Sequence, residues 1–98
     1  MSEYRIQLYP SKRNVEKTYG SLEGARAAAI RYIKRGECTQ GTIYGKRDKY
    51  DYSLRREYGA VFVNRGKYVY RREIDPYYKS EYGLWELYPN GSVSKRLG

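Results

Sequence analysis

One stretch of this 98-residue chain reads as a helix, and it constrains everything around it. Ser21 to Gly36 runs SLEGARAAAIRYIKRG. Stepping about 100° per residue from Leu22 places Leu22, Ala25, Ala28, Ala29, Tyr32 and Ile33 on one broad arc. Glu23, Ala27, Arg31, Lys34 and Arg35 fall opposite, so one face is apolar and the other wet and basic. Ser21 is placed to cap the first turn by accepting a backbone N–H. Glu23 suits the positive N-terminal end, and Lys34 and Arg35 suit the negative C-terminal end. Gly36 can take the left-handed conformation that stops a helix. A single helix with one apolar face needs a sheet to cover it. The alanines at 25, 28 and 29 would let its backbone approach that sheet closely.

The remaining sequence supplies strands. Glu3 to Tyr9 alternates, with Tyr4, Ile6 and Leu8 on one side and Arg5, Gln7 and Tyr9 on the other. Pro10 ends it, and residues 11–20 form a polar connection with room for a short strand through Val15 and Lys17. Thr42 to Tyr44 reads as a short strand broken by Gly45. Residues 46–57 carry many charges of mixed sign and one aliphatic, Leu54, and are expected to form a mobile loop. Ala60–Val63 and Lys67–Arg71 form a hairpin about Asn64-Arg65-Gly66, where Asn and Gly tolerate positive φ. Asp75-Pro76 breaks the chain. Leu84–Tyr88 and Ser92–Leu97 form a second hairpin about Tyr88-Pro89-Asn90-Gly91. The expected fold is α+β: one helix packed on a twisted, mainly antiparallel sheet, in the order β-α-β-β-β-β-β, as one small domain over residues 1–98.

The core must be unusual. Ile, Leu, Val and Phe together number seventeen, low enough to raise the question of disorder. Fourteen tyrosines and Trp85 answer it, because each aromatic can bury roughly 150–250 Å². Buried hydroxyls need partners, so many tyrosines should sit at the core margin, ring inward and hydroxyl outward. The best core candidates are Leu22, Ala25, Ala29, Ile33, Val61, Val63, Val69, Trp85 and Leu87.

Composition also narrows function. No apolar run is long enough to span a membrane, and the N-terminus lacks the apolar stretch of a secretory signal. With a single cysteine, Cys38, the expected setting is the reducing cytoplasm. The chain contains no histidine, which excludes Ser–His and Cys–His nucleophiles, and one cysteine cannot make a Cys-rich zinc site, so metal and most hydrolytic sites are largely discounted while a Ser–Lys arrangement stays formally open. The acid pairs Asp48/Asp51 and Glu73/Asp75 lie among cations, and charge balance explains them better than acid–base chemistry. No glycine-rich phosphate loop occurs. The chain is therefore read as non-enzymatic, with no cofactor.

Twenty Lys and Arg against eleven acids give a net charge of +9 and favour an anionic partner, either nucleic acid or an acidic protein surface. The strongest pattern is basic–aromatic interleaving in one hairpin: Arg65, Lys67, Tyr68, Tyr70, Arg71 and Arg72. Cations can replace counterions on phosphates, and tyrosines on a sheet can stack unpaired bases. The same residues also serve strand formation and edge solubility. Arg31, Lys34 and Arg35 on the helix, and Lys46 with Arg47, offer two further basic surfaces. A solvated face accounts for these equally well. Small size, unusual composition and the missing catalytic set resemble compact proteins of phages and mobile elements. That resemblance implies an alternative, a protein-binding module that inhibits a host nucleic-acid-handling enzyme.

Overall fold

The computed structural model describes residues 3–10, 17–46, 57–74 and 83–97. Its elements run β1 (Glu3–Tyr9), α1 (Leu22–Lys34), β2 (Gln40–Lys46), β3 (Glu57–Asn64), β4 (Lys67–Ile74), β5 (Gly83–Leu87) and β6 (Val93–Arg96). The six strands form one open sheet in the order β1-β2-β3-β4-β5-β6, and every neighbouring pair is antiparallel. The helix packs across β1, β2 and β3 on one face. This is the expected α+β architecture in the expected order.

The helix begins and ends by the expected devices. Ser21 Oγ accepts from the Gly24 N–H at 3.1 Å, which satisfies one of the free donors of the first turn. At the other end Gly36 has φ 78°. Its N–H donates to Ile33 O and the Glu37 N–H donates to Tyr32 O, the paired bonds of a Schellman cap.

Cross-strand register defines the two faces of the sheet. Ile6 opposes Ile43, Leu8 opposes Gly41, Gly41 opposes Val61, Val61 opposes Tyr70, and Tyr70 opposes Trp85. All of these share the helix side, since adjacent residues on paired strands point the same way. The core gathers Ile6, Leu8, Ile43, Val61, Tyr70 and Leu87 from the sheet with Ala25, Ala28, Ala29, Ile30 and Cys38 from above it. Tyr4, Tyr19, Tyr32 and Tyr68 are partly buried against this cluster, the margin position expected of tyrosines. Gly41 lies directly beneath the helix. A methyl group there would stand 3.0 Å from Ala29 Cβ, so small residues on both elements set the helix–sheet distance.

Several details differ from the sequence reading. Ile30 is 1% exposed although it sits at the flank of the predicted arc. The β5–β6 turn packs on that flank one turn earlier, at Glu23 and Ala27, and Ile30 itself joins the core cluster. Gly91 (φ 92°) lies so close to Ala27 N and Glu23 O that a side chain would collide with both. The Arg26 Nε–H also donates to Gly91 O at 2.9 Å. Leu22, Ile33 and Trp85 are partly buried, while Val63 is 47% exposed at the sheet end, beyond the cover of the helix. Gly45 does not break β2; it is buried within the strand and pairs with Tyr4. The first hairpin is longer than expected. Its loop has two residues, because Asn64 pairs with Lys67 while Arg65 (φ 54°) and Gly66 (φ 79°) take the positive angles. Of the loop expected over residues 46–57, Lys46 instead ends β2 and Glu57 begins β3; its residues 47–56 with Asp48 and Asp51, the short strand expected through Val15, and Asp75 lie outside the described residues.

Candidate nucleic-acid interface

Opposite the helix, the sheet presents a second face. Three cross-strand rows build most of it. Arg5 opposes Tyr44; Gln7, Thr42, Ala60, Arg71 and Leu84 lie side by side; and Tyr9, Gln40, Phe62, Val69, Glu86 and Lys95 follow. Lys67 continues β4 beyond Val69. Arg5, Lys67, Arg71 and Lys95 are exposed there, as are Tyr9 and Tyr44, and Phe62 is half-buried. From Arg5 to Arg71 the backbone span is about 16 Å, taking three strand spacings and two residues of rise.

The described acids on this face leave it basic. Glu3 lies 3.8 Å from Arg5, and Glu86 lies 3.7 Å from Lys67. Both cations keep more than half of their side-chain surface in water. Exposed pairs of this kind are worth only about 0–1 kcal/mol, so a phosphate can displace the carboxylate at little cost.

The structure divides the residues singled out from sequence. Lys67 and Arg71 lie on the open face. Arg65 is exposed at the tip of the β3–β4 hairpin. Arg31, Lys34 and Arg35 project from the far side of α1, where Arg35 lies 3.9 Å from Glu37 and 5.6 Å over the Tyr32 ring. They are on the opposite side of the molecule from Lys67 and Arg71 and cannot share one strand of nucleic acid with them across the sheet. Lys46 ends β2, and Arg47 lies outside the described residues.

Tyr68, Tyr70 and Arg72 face the helix side of β4. Tyr70 is 2% exposed, so it is withdrawn from the candidate contact set. Its ring covers Gly59, where any side chain would strike the phenol. The Arg26 guanidinium lies 5.0 Å above that ring. Trp85 follows at 6.2 Å with a 35° tilt, and Arg96 lies 6.0 Å from the indole. Arg26, Tyr70, Trp85 and Arg96 thus form a cation–aromatic ladder that ties α1 to β4, β5 and β6. Basic–aromatic interleaving in the β4 sequence is partly this structural ladder.

Sequence reasoning missed Arg5, Tyr9, Tyr44, Phe62 and Lys95. The alternation in β1 already set Arg5, Gln7 and Tyr9 apart from the core. What it could not supply was register, which brings β1 and β2 onto the face that carries Lys67 and Arg71.

The ionisable groups with resolved shifts lie off this face. Burial pushes the Cys38 thiol above its ordinary range, and the neighbouring Glu37 carboxylate adds to the effect. The Tyr19 phenol is raised first by burial and then by Tyr32 beside it. A thiol held protonated is a poor nucleophile. Among the described residues no group of three or more acidic or cysteine side chains could hold a metal ion, and no helix is long and apolar enough to cross a membrane. No family model matches the chain, and no characterised protein or solved structure matches it.

Proposed function

We propose that this protein binds single-stranded nucleic acid through the open face of its sheet, in a role with no chemical step. The supporting observation is the register that sets Arg5, Lys67, Arg71 and Lys95 on one face together with the exposed rings of Tyr9 and Tyr44. An open sheet of this kind offers cations for the backbone and flat rings for splayed bases. A duplex presents no unstacked bases, so single strands fit this surface better.

Fluorescence anisotropy with short DNA and RNA oligomers tests the reading. Four phosphate contacts on a single strand predict a log–log salt slope of about −3, or roughly a fiftyfold loss of affinity between ~50 and ~200 mM salt. Arg71→Ala reduces the slope by close to one contact, whereas Arg31→Ala on the helix leaves it unchanged. Tyr44→Ala weakens binding at every salt concentration and leaves the slope alone, because stacking releases few ions. Absence of measurable affinity at about 50 mM salt overturns the reading. In that case a stoichiometric complex with a protein becomes the interpretation to pursue.

A further inference from the structure

Away from the open face the molecule carries a second basic surface, built from the last turn of α1 and the chain that borders β1. Arg31, Lys34 and Arg35 recur at intervals of three and four residues, which brings them to one side of the helix. All three are exposed. Tyr19 extends the sheet beyond β1. The Tyr4 N–H donates to Tyr19 O at 3.0 Å, and the Tyr19 N–H donates to Tyr4 O at 2.9 Å. That pairing turns Tyr19 to the helix side, where its phenol meets Tyr32 and feels the Arg31 charge. Lys17, exposed two residues earlier, places its Nζ 5.5 Å from the centre of the Tyr19 ring.

Two of these cations are held by rings. Lys17 lies over Tyr19, and the Arg35 guanidinium lies 5.6 Å from the Tyr32 ring centre. Such contacts are worth about 0.5–1 kcal/mol at exposed sites, and they steady a cation without cancelling its charge. Among the described residues the carboxylate within ion-pair reach of this cluster is Glu37, 3.9 Å from Arg35. An exposed pair of this kind opens to an incoming anion at a cost of about 0–1 kcal/mol. Glu23 stands two turns from Arg31 along the helix, about 12 Å away and beyond one Debye length at ~0.1 M salt. The cations also outweigh the helix C-terminus, which contributes roughly half a negative charge. Tyr19 and Tyr32 are partly buried against the core with cations on their faces, so they offer a base no open platform. What this surface offers is charge for phosphates.

We propose that it takes the phosphate backbone of a second nucleic-acid segment, so that one molecule bridges two. The open face lies on the other side of the sheet. Even the shortest dimension of the molecule, 22 Å, is about two Debye lengths at ~0.1 M salt. An anion on one surface therefore leaves the field of the other nearly intact. With cations but no open ring, the helix side is the weaker surface and fills second. A trace oligomer goes to the open face, and Arg31 has no part in that salt slope. The bridge rests on the reading of the open face given above and adds a second arm to it.

A sandwich assay tests it. An oligo-dT of about 20 nucleotides is sparsely immobilised, the full chain is loaded at ~50 mM salt, and a second, fluorescent oligo-dT is passed over it. The wild type is expected to load and to capture the second strand. The triple variant Arg31→Gln, Lys34→Gln, Arg35→Gln loads to within about twofold of the wild type but captures at least ~tenfold less, through the loss of three phosphate contacts. The double variant Lys17→Gln, Arg31→Gln keeps both cations at the helix end and lowers capture by about threefold. Circular dichroism confirms that each variant is folded. A wild type that loads and captures nothing overturns the bridge and leaves the open-face reading standing. So does capture that survives both variants, because two copies joined to each other would then be holding the second strand. A folded triple variant that no longer loads overturns the open-face reading and the bridge together, since the helix side would be the one surface that binds. A wild type that never loads overturns both.

Discussion

The contact between α1 and β2 predicts its own energetic signature. Ala29 is fully buried, and Gly41 lies beneath it. In Gly41→Ala the added methyl would meet Ala29 Cβ at 3.0 Å and Ile6 Cγ2 at 3.6 Å. Carbon pairs prefer about 3.5–4.0 Å, so the helix must lift or tilt by roughly half an ångström. Overpacking of this kind costs about 1–3 kcal/mol. A stiffer unfolded chain returns about 0.4–1 kcal/mol, so the net loss is about 0.5–2 kcal/mol. Ala29→Gly alone loses about 1 kcal/mol of helix propensity and about 0.8 kcal/mol of methyl burial. The double variant moves the methyl from the helix to the sheet and removes the clash. It should lose only about 1 kcal/mol, against about 3 for the sum of the single changes. Urea unfolding followed by far-UV circular dichroism measures all four corners of this cycle. The expected coupling is about 2 kcal/mol. Additivity within about 0.5 kcal/mol would refute the reasoning, because it would mean that the helix does not rest on β2 at Gly41.

Other substitutions separate fold from function. Tyr70→Ala removes the centre of the cation–aromatic ladder and should cost about 3–5 kcal/mol in urea unfolding, which would place it near the limit of a small domain's stability. Arg65→Asn replaces a residue held at φ 54° by one that tolerates that angle. Its melting temperature should rise by several degrees, for about 1 kcal/mol of relieved strain. Stability should also decline as pH rises past the ordinary thiol value, because the native state holds the Cys38 proton, and that of Tyr19, more tightly than the unfolded chain does. A Cys38→Ala variant should show a shallower decline in thermal scans over that alkaline range.

The most legible parts of the fold were those where one residue type has one use. Alternation in β1 gave its limits, since Ile6 and Leu8 can only be inside and Arg5 can only be outside. Ser21 and Gly36 marked the helix because capping asks for those side chains and little else. The β3–β4 turn was read one residue early. Asn64 and Gly66 are the usual positive-φ residues, yet the pair that takes those angles is Arg65-Gly66. An arginine accepts that cost of about 1–2 kcal/mol against its local preference, and such conflicts between sequence and conformation collect where function overrides stability. Ile30 was missed for another reason. A helical projection describes contact with a flat sheet, and it has no knowledge of a distant turn, here Tyr88 to Ser92, packing on that flank at Glu23 and Ala27.

Tyrosine was the least legible residue, and the reason is physical. Its ring is apolar enough for a core and its hydroxyl polar enough for a surface, so alternation in β4 separates Lys67, Val69 and Arg71 from Tyr68 and Tyr70 without saying which set faces inward. Val69 makes the difficulty sharper, because it is 2% exposed yet lies on the open face, away from the main cluster. Register resolves the choice from a distance: Ile6 fixes Ile43, Leu8 fixes Gly41 and hence Val61, and Val61 fixes Tyr70. The links from β1 through β2 to β3 pair strands well separated in sequence, and the last closes within the β3–β4 hairpin. The same chemistry then appears twice. On the helix side arginine lies over tyrosine and tryptophan within one chain; on the open side Arg5 and Arg71 share a face with Tyr9 and Tyr44, and all four are exposed. A cation beside an aromatic ring suits a protein's own interior margin and a nucleic-acid strand for one reason, the affinity of a flat π-face for charge and for other flat rings. The sequence pattern therefore signals that such contacts exist, and only the partner strands determine on which face of the sheet each one lies.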